Sequence, residues 1–361
     1  MTHSQDKKWM SQALALAERG NLHAHPNPRV GCVIVRRGRL VAEGWHDRFG
    51  GPHAEVRALA QAGDRAKGST LYVTLEPCPH WGKTPPCADA VARAGVARVV
   101  AAGFDPHPRY RGRGGATLRR AGVTVEAGLL AAPAQRLNPG FFSRQKKGRP
   151  FVHLKMAQSL DGKIASRTGA SRWITGSAAR RWVHDRRAAC DAVLVGGETV
   201  RRDNPFLTAH GAGPDPLRVV LSASLDLDPR SRVFDRSAPA WVLTVPGASV
   251  SRRRRLKQAG AHLIEVPTRN GRVDVANALS ALACRGVADL LVEGGGATAA
   301  SFLESKTVDR VYFFVAPFFL GGRTAPTSVD GAGWDQPDKG PRLKNVRVTQ
   351  MGPDILVQGD L

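Results

Sequence analysis

The sequence predicts two consecutive α/β domains, and three observations predict them. A chain of 361 residues exceeds what one ordinary hydrophobic core serves. Apolar strand-like runs alternate with helix-like segments through both halves. Between the halves lies "RQKKGRP" (Arg144 to Pro150), charged, poor in apolar residues and bounded by Gly148 and Pro150, which reads as a linker. A first domain is therefore expected over residues 1–146 and a second over 147–361.

The elements follow in order. Trp9, Met10, Ala13, Leu14 and Ala17 recur at helical spacing, so residues 6–19 read as an amphipathic helix. Glu18 and Arg19 interrupt the apolar run too early for a signal peptide. "RVGCVIVRRGRLVAEGW" reads as two strands about a turn at Arg37–Gly38. "HAEVRALAQAG" is a helix stopped by Gly63, and "STLYVTLEP" a buried strand that Pro77 must end. "CADAVARAGVARVVAAGFDP" and "GATLRRAGVTVEAGLL" each supply a helix, a glycine turn and a strand, which completes an α/β sandwich with a mixed or parallel sheet. Beyond the linker, strands at "FVHLKMA", "AVLVG", "LRVVLS", "AWVLTV", "HLIEV", "DLLVEGG" and "RVYFFVAPFFLGG" are interleaved with helices at "SAARRWVHDRRAAC", "RRRRLKQAG", "VANALSALACRG" and "TAASFLES". That rhythm is the one of nucleotide-binding α/β folds.

Composition narrows the classes. Hydrophobic residues at 42% and charged residues at 23% are those of a soluble globular protein. No stretch approaches the ~20 apolar residues of a membrane span, and a cytoplasmic protein is expected. Five cysteines in so long a chain do not make a disulfide framework; Cys32, Cys190 and Cys284 read as small buried hydrophobes. The formal charge of +23 is spread through both halves, with 23 Lys and Arg against 10 Asp and Glu over residues 1–147. Such a balance suits nucleic acid and equally suits phosphorylated small molecules. No interleaved aromatics or RNA-module motif favour nucleic acid, and "SRRRRLKQAG" (Ser251 to Gly260) reads as a solvated helix face.

Two stretches carry chemistry. His53, Cys78 and Cys87 offer one nitrogen and two thiolates, the three protein ligands of a catalytic zinc site that keeps its fourth position for water. Glu55, in the same first helical turn as His53, can reach that water without being a ligand, and a closed structural site has no use for such a carboxylate. In the second half, "VEGGGATAASF" follows a strand and opens a helix, so Gly294 to Gly296 let backbone N–H groups approach a phosphate. It is not the dinucleotide fingerprint G-x-G-x-x-G.

H-A-E with a downstream P-C…C is the signature of zinc-dependent nucleobase deaminases, usually with two residues between the cysteines; here eight separate them. With "HPNPRVGCVIV", "GPHAEVRAL" and "YVTLEPCPHWGKTPPCADA", the first half resembles the deaminase of riboflavin biosynthesis. "LKMAQSLDGKIA", "SRWIT", "GGETVRRDNPFLT" and "LLVEGGG" resemble the reductase half of the same bifunctional family. The resemblance covers nearly the whole chain. It implies a cytidine-deaminase-like three-layer α/β/α domain followed by a dihydrofolate-reductase-like α/β domain. The implied reactions are hydrolytic deamination of a phosphoribosylated diaminopyrimidinone, with Zn2+, and NADPH-dependent reduction of its ribosyl group to ribityl.

The resemblance also implies site residues. Asn27, His46, Glu76, His80 and Lys83 would line the deaminase pocket around Glu55. NADPH would contact Ala157, Trp173, Thr199, Asp203 and the loop Gly295, Gly296, Ala297, Thr298, Ala299, Ala300 and Ser301. The reductase substrate would contact Lys155, Ser171, Arg187, Leu207 and Glu293, with Arg187 toward its phosphate and Glu293 toward sugar hydroxyls. Asp161 reads as shaping its loop, and Trp173 as either a core residue or a wall of the nicotinamide site. Three positions depart from the family pattern: Ser222–Ala223 replaces an Asp–Ser pair, His210 an Arg and Phe318 a Lys. Two alternatives stay open, a second domain that only binds or assembles and a basic nucleic-acid deaminase. Phosphorylated pyrimidines are the expected partners, with no membrane or nucleic acid, and a homo-oligomer is expected.

Overall fold

The computed structural model describes residues 3–20 and 24–361. It divides into two compact units, Met1–Lys147 and Gly148–Leu361.

In the first unit, β1 (Gly31–Arg36) and β2 (Arg39–Trp45) form the expected hairpin. The sheet runs β2-β1-β3-β4-β5, with β3 (Thr70–Val73), β4 (Arg98–Ala101) and β5 (Thr124–Ala127) parallel and β1 antiparallel to β3. Alternation along β1 sorts its side chains. Val33 and Val35 meet Trp9, Met10, Ala13 and Leu16 of α1 (His3–Arg19). Cys32 and Ile34 meet Ala54, Ala58 and Ala62 of α2 (Ala54–Ala62) and Ala88 and Val91 of α3 (Cys87–Arg93). Helices thus cover both faces, which makes three layers. The inner helix crosses tightly: a Cβ on Gly31 would lie 2.0 Å from the Ala13 carbonyl oxygen, so only glycine admits α1 there.

The strand expected over 69–77 ends at Val73. Thr74 turns away, its N–H on the Gly31 carbonyl and its hydroxyl accepting from the Gly31 N–H, and the Glu76 N–H donates to Gly103. That departure releases Glu76 to Cys78 from the sheet and brings them over its carboxyl edge. After α4 (Arg113–Arg120) come two helices that the sequence reading did not include, α5 (Ala131–Leu137) and α6 (Pro139–Lys147). Half of the charged stretch read as linker is therefore helical. Pro139 suits a first helical position, Arg144, Lys146 and Lys147 suit a last turn, and Gly148 at φ 64° ends it.

The second unit is built on nine strands in the order β10-β9-β8-β7-β13-β6-β14-β16-β15. Strands β6 (Phe151–Ser159), β7 (Ala192–Gly196), β8 (Leu217–Leu221), β9 (Ala240–Thr244), β10 (His262–Glu265), β13 (Asp289–Val292) and β14 (Arg310–Ala316) are parallel. Two short strands, β11 (Thr268–Arg269) and β12 (Arg272–Val273), pair only with each other. Helices α7 (Ser177–Ala188), α9 (Val250–Gln258), α10 (Val275–Cys284) and α11 (Gly296–Glu304) lie where expected. In addition, "GETVRRD" forms α8 (Gly197–Asp203), and the chain closes with an antiparallel hairpin, β15 (Lys344–Met351) and β16 (Asp354–Asp360), against β14.

Cys32 and Cys190 are buried as expected, but Cys284, at the end of α10, is exposed. In α9 only Leu256 is buried, so the arginine run is the solvated face foreseen, with Arg252 on Asp226 and Arg253 on Glu265. Among the described residues no helix is long and apolar enough to cross a membrane.

Candidate functional site

Two helix N-termini and one strand exit build the first site. The Gly51–Pro52 turn sets His53 in an extended N-cap conformation ahead of α2. Cys87 opens α3, and its N–H donates to the Cys78 sulfur at 3.3 Å, while the Ala88 N–H donates to the Cys78 carbonyl at 3.2 Å. The His53 Nδ1 lies 3.2 Å from Cys87 Sγ and 3.6 Å from Cys78 Sγ. All three ligating atoms fall within 4.8 Å of one another. One imidazole nitrogen and two sulfurs, converging from three separate segments, are the donor set of an open zinc site.

The electrostatics agree with that donor set. The Cys78 thiol is pulled down to about 4, first by its hydrogen bond with Cys87, then by His53 and the helix N–H. Its partner Cys87 is pushed the other way. Burial lifts the Glu55 carboxyl to about 7, helped by the negative charge on Cys78. Glu55 is 4% exposed, in the first turn of α2, and lines the same cavity as His53 and Cys78.

That cavity encloses about 250 Å³. Asn27 lines it, its amide nitrogen 3.1 Å from His46 Nε2, and His46 Nδ1 lies 3.1 Å from the Pro52 carbonyl. A carbonyl only accepts, so Nδ1 carries the proton and Nε2 accepts from Asn27. Burial lowers the pKa of His46, which keeps this tautomer neutral. His46 thus fixes the Asn27 amide, leaving the amide oxygen for a base edge. His80 stacks on Tyr110 with ring centroids 3.8 Å apart, and its buried Nδ1 has no partner among the described residues. Lys83 lines a smaller adjoining cavity of about 100 Å³ that shares Asn27, His53, Cys78 and His80, and its ammonium sits 4.0 Å over the Phe49 ring.

Glu76 lines the larger cavity and also braces the chain around it. Its carboxylate accepts N–H bonds from Asp105 and Gly112 on Oε2 and from Gly115 on Oε1, so it ties the loop after β4 to the first turn of α4. Through that loop it carries Asp105, His107 and Tyr110 into the cavity wall, and α6 adds Phe141, Arg144 and Gln145. These six were not foreseen. The only available signal was "DPHPRY" directly after a strand, a polar loop at a sheet's carboxyl edge.

In the second unit, Lys155 from β6, Arg187 from α7 and Glu293 after β13 meet. Arg187 Nε and Nη2 hold the two Glu293 oxygens at 2.6 and 3.1 Å, and Lys155 Nζ lies 3.8 Å away. Arg187 Nη1 also donates to the Thr208 carbonyl at 2.9 Å. Ser171 donates to Asp203 at 3.1 Å. Ala157 follows Lys155 on the same face of β6, against Tyr312 and Phe314.

The three glycines have separate reasons. A Cβ on Gly294 would lie 2.4 Å from Thr298 Cβ, and one on Gly296 would lie 2.4 Å from Asp330. Packing demands both. Gly295 alone has open space, its nearest atom being Thr199 Oγ1 at 3.7 Å, and no side chain caps α11. The Gly295 N–H donates to that Thr199 hydroxyl at 3.3 Å. An uncapped helix end beside a hydroxyl fits a cofactor phosphate, so the residues present suit NADPH.

Six further residues have surroundings that narrow what each can do. Leu207 is buried in the core with Val200 and Leu225, so only its main chain is available to a substrate. Ala299 and Ala300 are likewise buried, Ala299 within the core, and Ser301 turns its hydroxyl onto the Ala297 carbonyl. These three can serve a cofactor only by shaping the helix end. Trp173 is 68% exposed with the Arg180 guanidinium over its ring, which removes the core reading. Asp161 accepts from Ser159, Leu320 and Gly321 and so shapes its loop as expected.

Comparison with known proteins matches residues 3–103 to the cytidine and deoxycytidylate deaminase zinc-binding region, and residues 150–357 to the RibD C-terminal domain. The chain is 40% identical to riboflavin biosynthesis protein RibD of Bacillus amyloliquefaciens, over 97% of this chain and 95% of that one. It is 38% identical to RibD of Escherichia coli K12, over 97% and 98%. The solved structure of Acinetobacter baumannii RibD, form 1, superposes with a TM-score of 0.90 at 37% identity, covering 99% of each chain. A Thermotoga maritima diaminohydroxyphosphoribosylaminopyrimidine deaminase/5-amino-6-(5-phosphoribosylamino)uracil reductase superposes with a TM-score of 0.85 at 36% identity, also covering 99% of each.

Proposed function

The chain belongs to the RibD family of riboflavin biosynthesis proteins, a deaminase domain joined to a reductase domain, and from this premise we propose which residues carry its two reactions. The first is hydrolytic deamination of 2,5-diamino-6-(5-phosphoribosylamino)pyrimidin-4(3H)-one. The second is NADPH-dependent reduction of the product's ribosyl group to ribityl. The observation that carries the reading is the convergence of His53 Nδ1, Cys78 Sγ and Cys87 Sγ beside a buried Glu55.

His53, Cys78 and Cys87 would hold zinc, which would supply the Lewis acidity that makes water a nucleophile at neutral pH. Glu55 moves the protons: with its carboxyl near 7 it accepts one from the attacking water and returns it to the departing ring amine as ammonia forms. Asn27, held by His46, presents its amide oxygen to N–H groups of the pyrimidine edge. Lys83 and His80 face the ribosyl phosphate side, where an ammonium and an unpaired imidazole nitrogen suit anionic and hydroxyl oxygens.

In the second unit NADPH supplies the hydride. The Gly295–Gly296 helix end and Thr199 hold a cofactor phosphate. Arg187 with Lys155 would orient the substrate's phosphate and Glu293 its sugar hydroxyls, and no side chain there has to act as a strong acid or base. A cytoplasmic homo-oligomer acting on phosphorylated pyrimidines belongs to the same reading. The test is an assay that follows ammonia release and NADPH oxidation separately. Ammonia without NADPH oxidation would leave only the deaminase, and neither signal would remove the assignment.

A further inference from the structure

The hairpin of β1 and β2 ends in three arginines that neither reaction uses. Arg37 and Gly38 both take left-handed backbone, at φ 52° and φ 74°, as a two-residue turn between twisted strands requires. Asn, Asp and Gly suit the first of these positions, and a long side chain there is unusual. Arg36 and Arg39 form the last rung of the hairpin, directly opposite each other, where like charges repel. The sequence therefore gathers positive charge at a tip where both backbone and electrostatics favour other residues.

All three side chains are exposed, and together they line a surface hollow of about 530 Å³. No other described residue lines it. Other arginines of this unit have carboxylates, Arg57 on Asp47 and Arg98 on Asp6 and Glu126, but among the described residues these three have none. The segment entering β3, whose Thr70 stands opposite Val35, brings Asp64, Arg65 and Lys67 to this end and so does not neutralise it. Because β1 is antiparallel to β3, Arg36 lies at the amino edge of β3, whereas Cys78 follows its carboxyl edge. The tip and the zinc site are at opposite ends of the sheet.

The charge and shape of the hollow select its ligand. Guanidinium groups present paired N–H donors that match phosphate oxygens. A single phosphate monoester brings only about two negative charges against three cations, whereas linked phosphates match them. A nucleic-acid strand binds through faces on which its bases stack, and no aromatic residue lines the hollow. We propose that Arg36, Arg37 and Arg39 form a binding site for a chain of linked phosphates, whether an inorganic oligophosphate or the tail of a nucleoside triphosphate, apart from the zinc site.

The test is calorimetric titration of the full-length protein with tripolyphosphate, at saturating NADPH and ~150 mM salt, where diffuse surface attraction is screened. The combined variant Arg36→Gln, Arg37→Asn, Arg39→Gln should bind at least roughly tenfold more weakly than wild type, the worth of one charge-assisted hydrogen bond. Arg37→Asn alone should weaken binding several-fold and keep or raise the melting temperature, since Asn suits the turn. Arg254→Gln, Arg255→Gln, Lys257→Gln removes as much charge from the exposed face of α9 and should leave the affinity unchanged. ATP should bind as tripolyphosphate does, and AMP should not. Chelation of metal by the ligand is common to every variant, because all keep the zinc site, and cancels from the comparison. An affinity unchanged in the hairpin variants, or lowered equally by the α9 variant, would overturn the site. Tighter binding of a single-stranded oligonucleotide than of tripolyphosphate would overturn the ligand. Loss of ammonia release in the combined hairpin variant would place the arginines in the deaminase reaction and overturn the separation from the zinc site.

Discussion

The backbone N–H of Cys87 points at the sulfur of Cys78 from 3.3 Å. One cysteine thereby opens the helix whose first donor stabilises the other as a thiolate, before any metal arrives. The eight residues between them form a loop whose two ends meet at one point, with His53 Nδ1 close to both sulfurs. Spacing in sequence is thus converted into a preorganised ligand set.

That relationship separates two variants. Cys87→Ser should lose both zinc and deamination, since one thiolate ligand is gone. Glu55→Gln should keep one zinc per chain while deamination falls by ~10²–10⁴, the usual range for a proton-transfer group. Metal analysis of the purified proteins, with ammonia release, distinguishes them. Loss of zinc in Glu55→Gln would contradict the role given to the carboxyl. Both variants should still oxidise NADPH when given deaminated substrate.

The glycine triplet makes a second prediction. Gly294→Ala drives a Cβ to 2.4 Å from Thr298 Cβ and should cost about 1–3 kcal/mol of stability, as overpacking does. Gly295→Ala meets open space at an ordinary negative φ of −69° and should leave the melting temperature within a few degrees. Its methyl nevertheless covers the uncapped end of α11, so NADPH Kd should rise by roughly tenfold. Thermal melts and NADPH fluorescence titrations check the two effects. Equal destabilisation by both alanines would refute the division of roles.

How legible the site was depended on where its parts lie in the chain. His53, Glu55, Cys78 and Cys87 were readable because ligand chemistry at short spacing is a local signal. Asp105, His107 and Tyr110 were not, because β4 lies beside β3 in the sheet, and only that pairing sets the loop after β4 next to Cys78. Arg144 was read as linker because its neighbours are charged, although α6 carries Arg144 to Lys147. The final hairpin was missed for a related reason. β15 is an edge strand with seven exposed positions and one half-buried, so the brief alternation at Val346, Arg347 and Val348 marks no buried face. Glu76 was found, and it lines the cavity, but sequence does not reveal that three backbone N–H groups also occupy its carboxylate.

His46 offers a third prediction. It lines the cavity, lies edge-on to His53, and orients the Asn27 amide from 3.1 Å. His46→Ala frees that amide to rotate and should raise the deaminase KM about tenfold, the worth of one or two oriented hydrogen bonds. Zinc content should be unchanged. His46→Gln, which can still accept from Asn27, should recover part of the loss. An unaltered KM in His46→Ala would show that Asn27 does not depend on it.

The last prediction concerns how the deaminase unit holds its first helix. Asp6 is buried on α1, with both oxygens on the Arg98 guanidinium at 2.9 and 2.8 Å and the Tyr72 hydroxyl donating to it at 2.6 Å. The Arg98 hydrogen bonds pull the Asp6 carboxyl below its ordinary value against the opposing effect of burial. A carboxyl whose folded pKa is depressed contributes stability that is complete above its unfolded pKa, about 3.9. That contribution is lost as pH falls through the folded value. Asp6→Asn should therefore destabilise the protein by about 1–3 kcal/mol at pH 7, because Arg98 loses the buried one of its two carboxylates and keeps only the exposed Glu126. The gap between wild type and variant should stay constant above pH ~5 and close as pH drops below ~4. Urea unfolding of both proteins at matched pH measures the gap directly, and acid effects on the zinc ligands cancel because both proteins carry them. A difference that grows on acidification would have the wrong sign for this carboxyl and would reject the assignment.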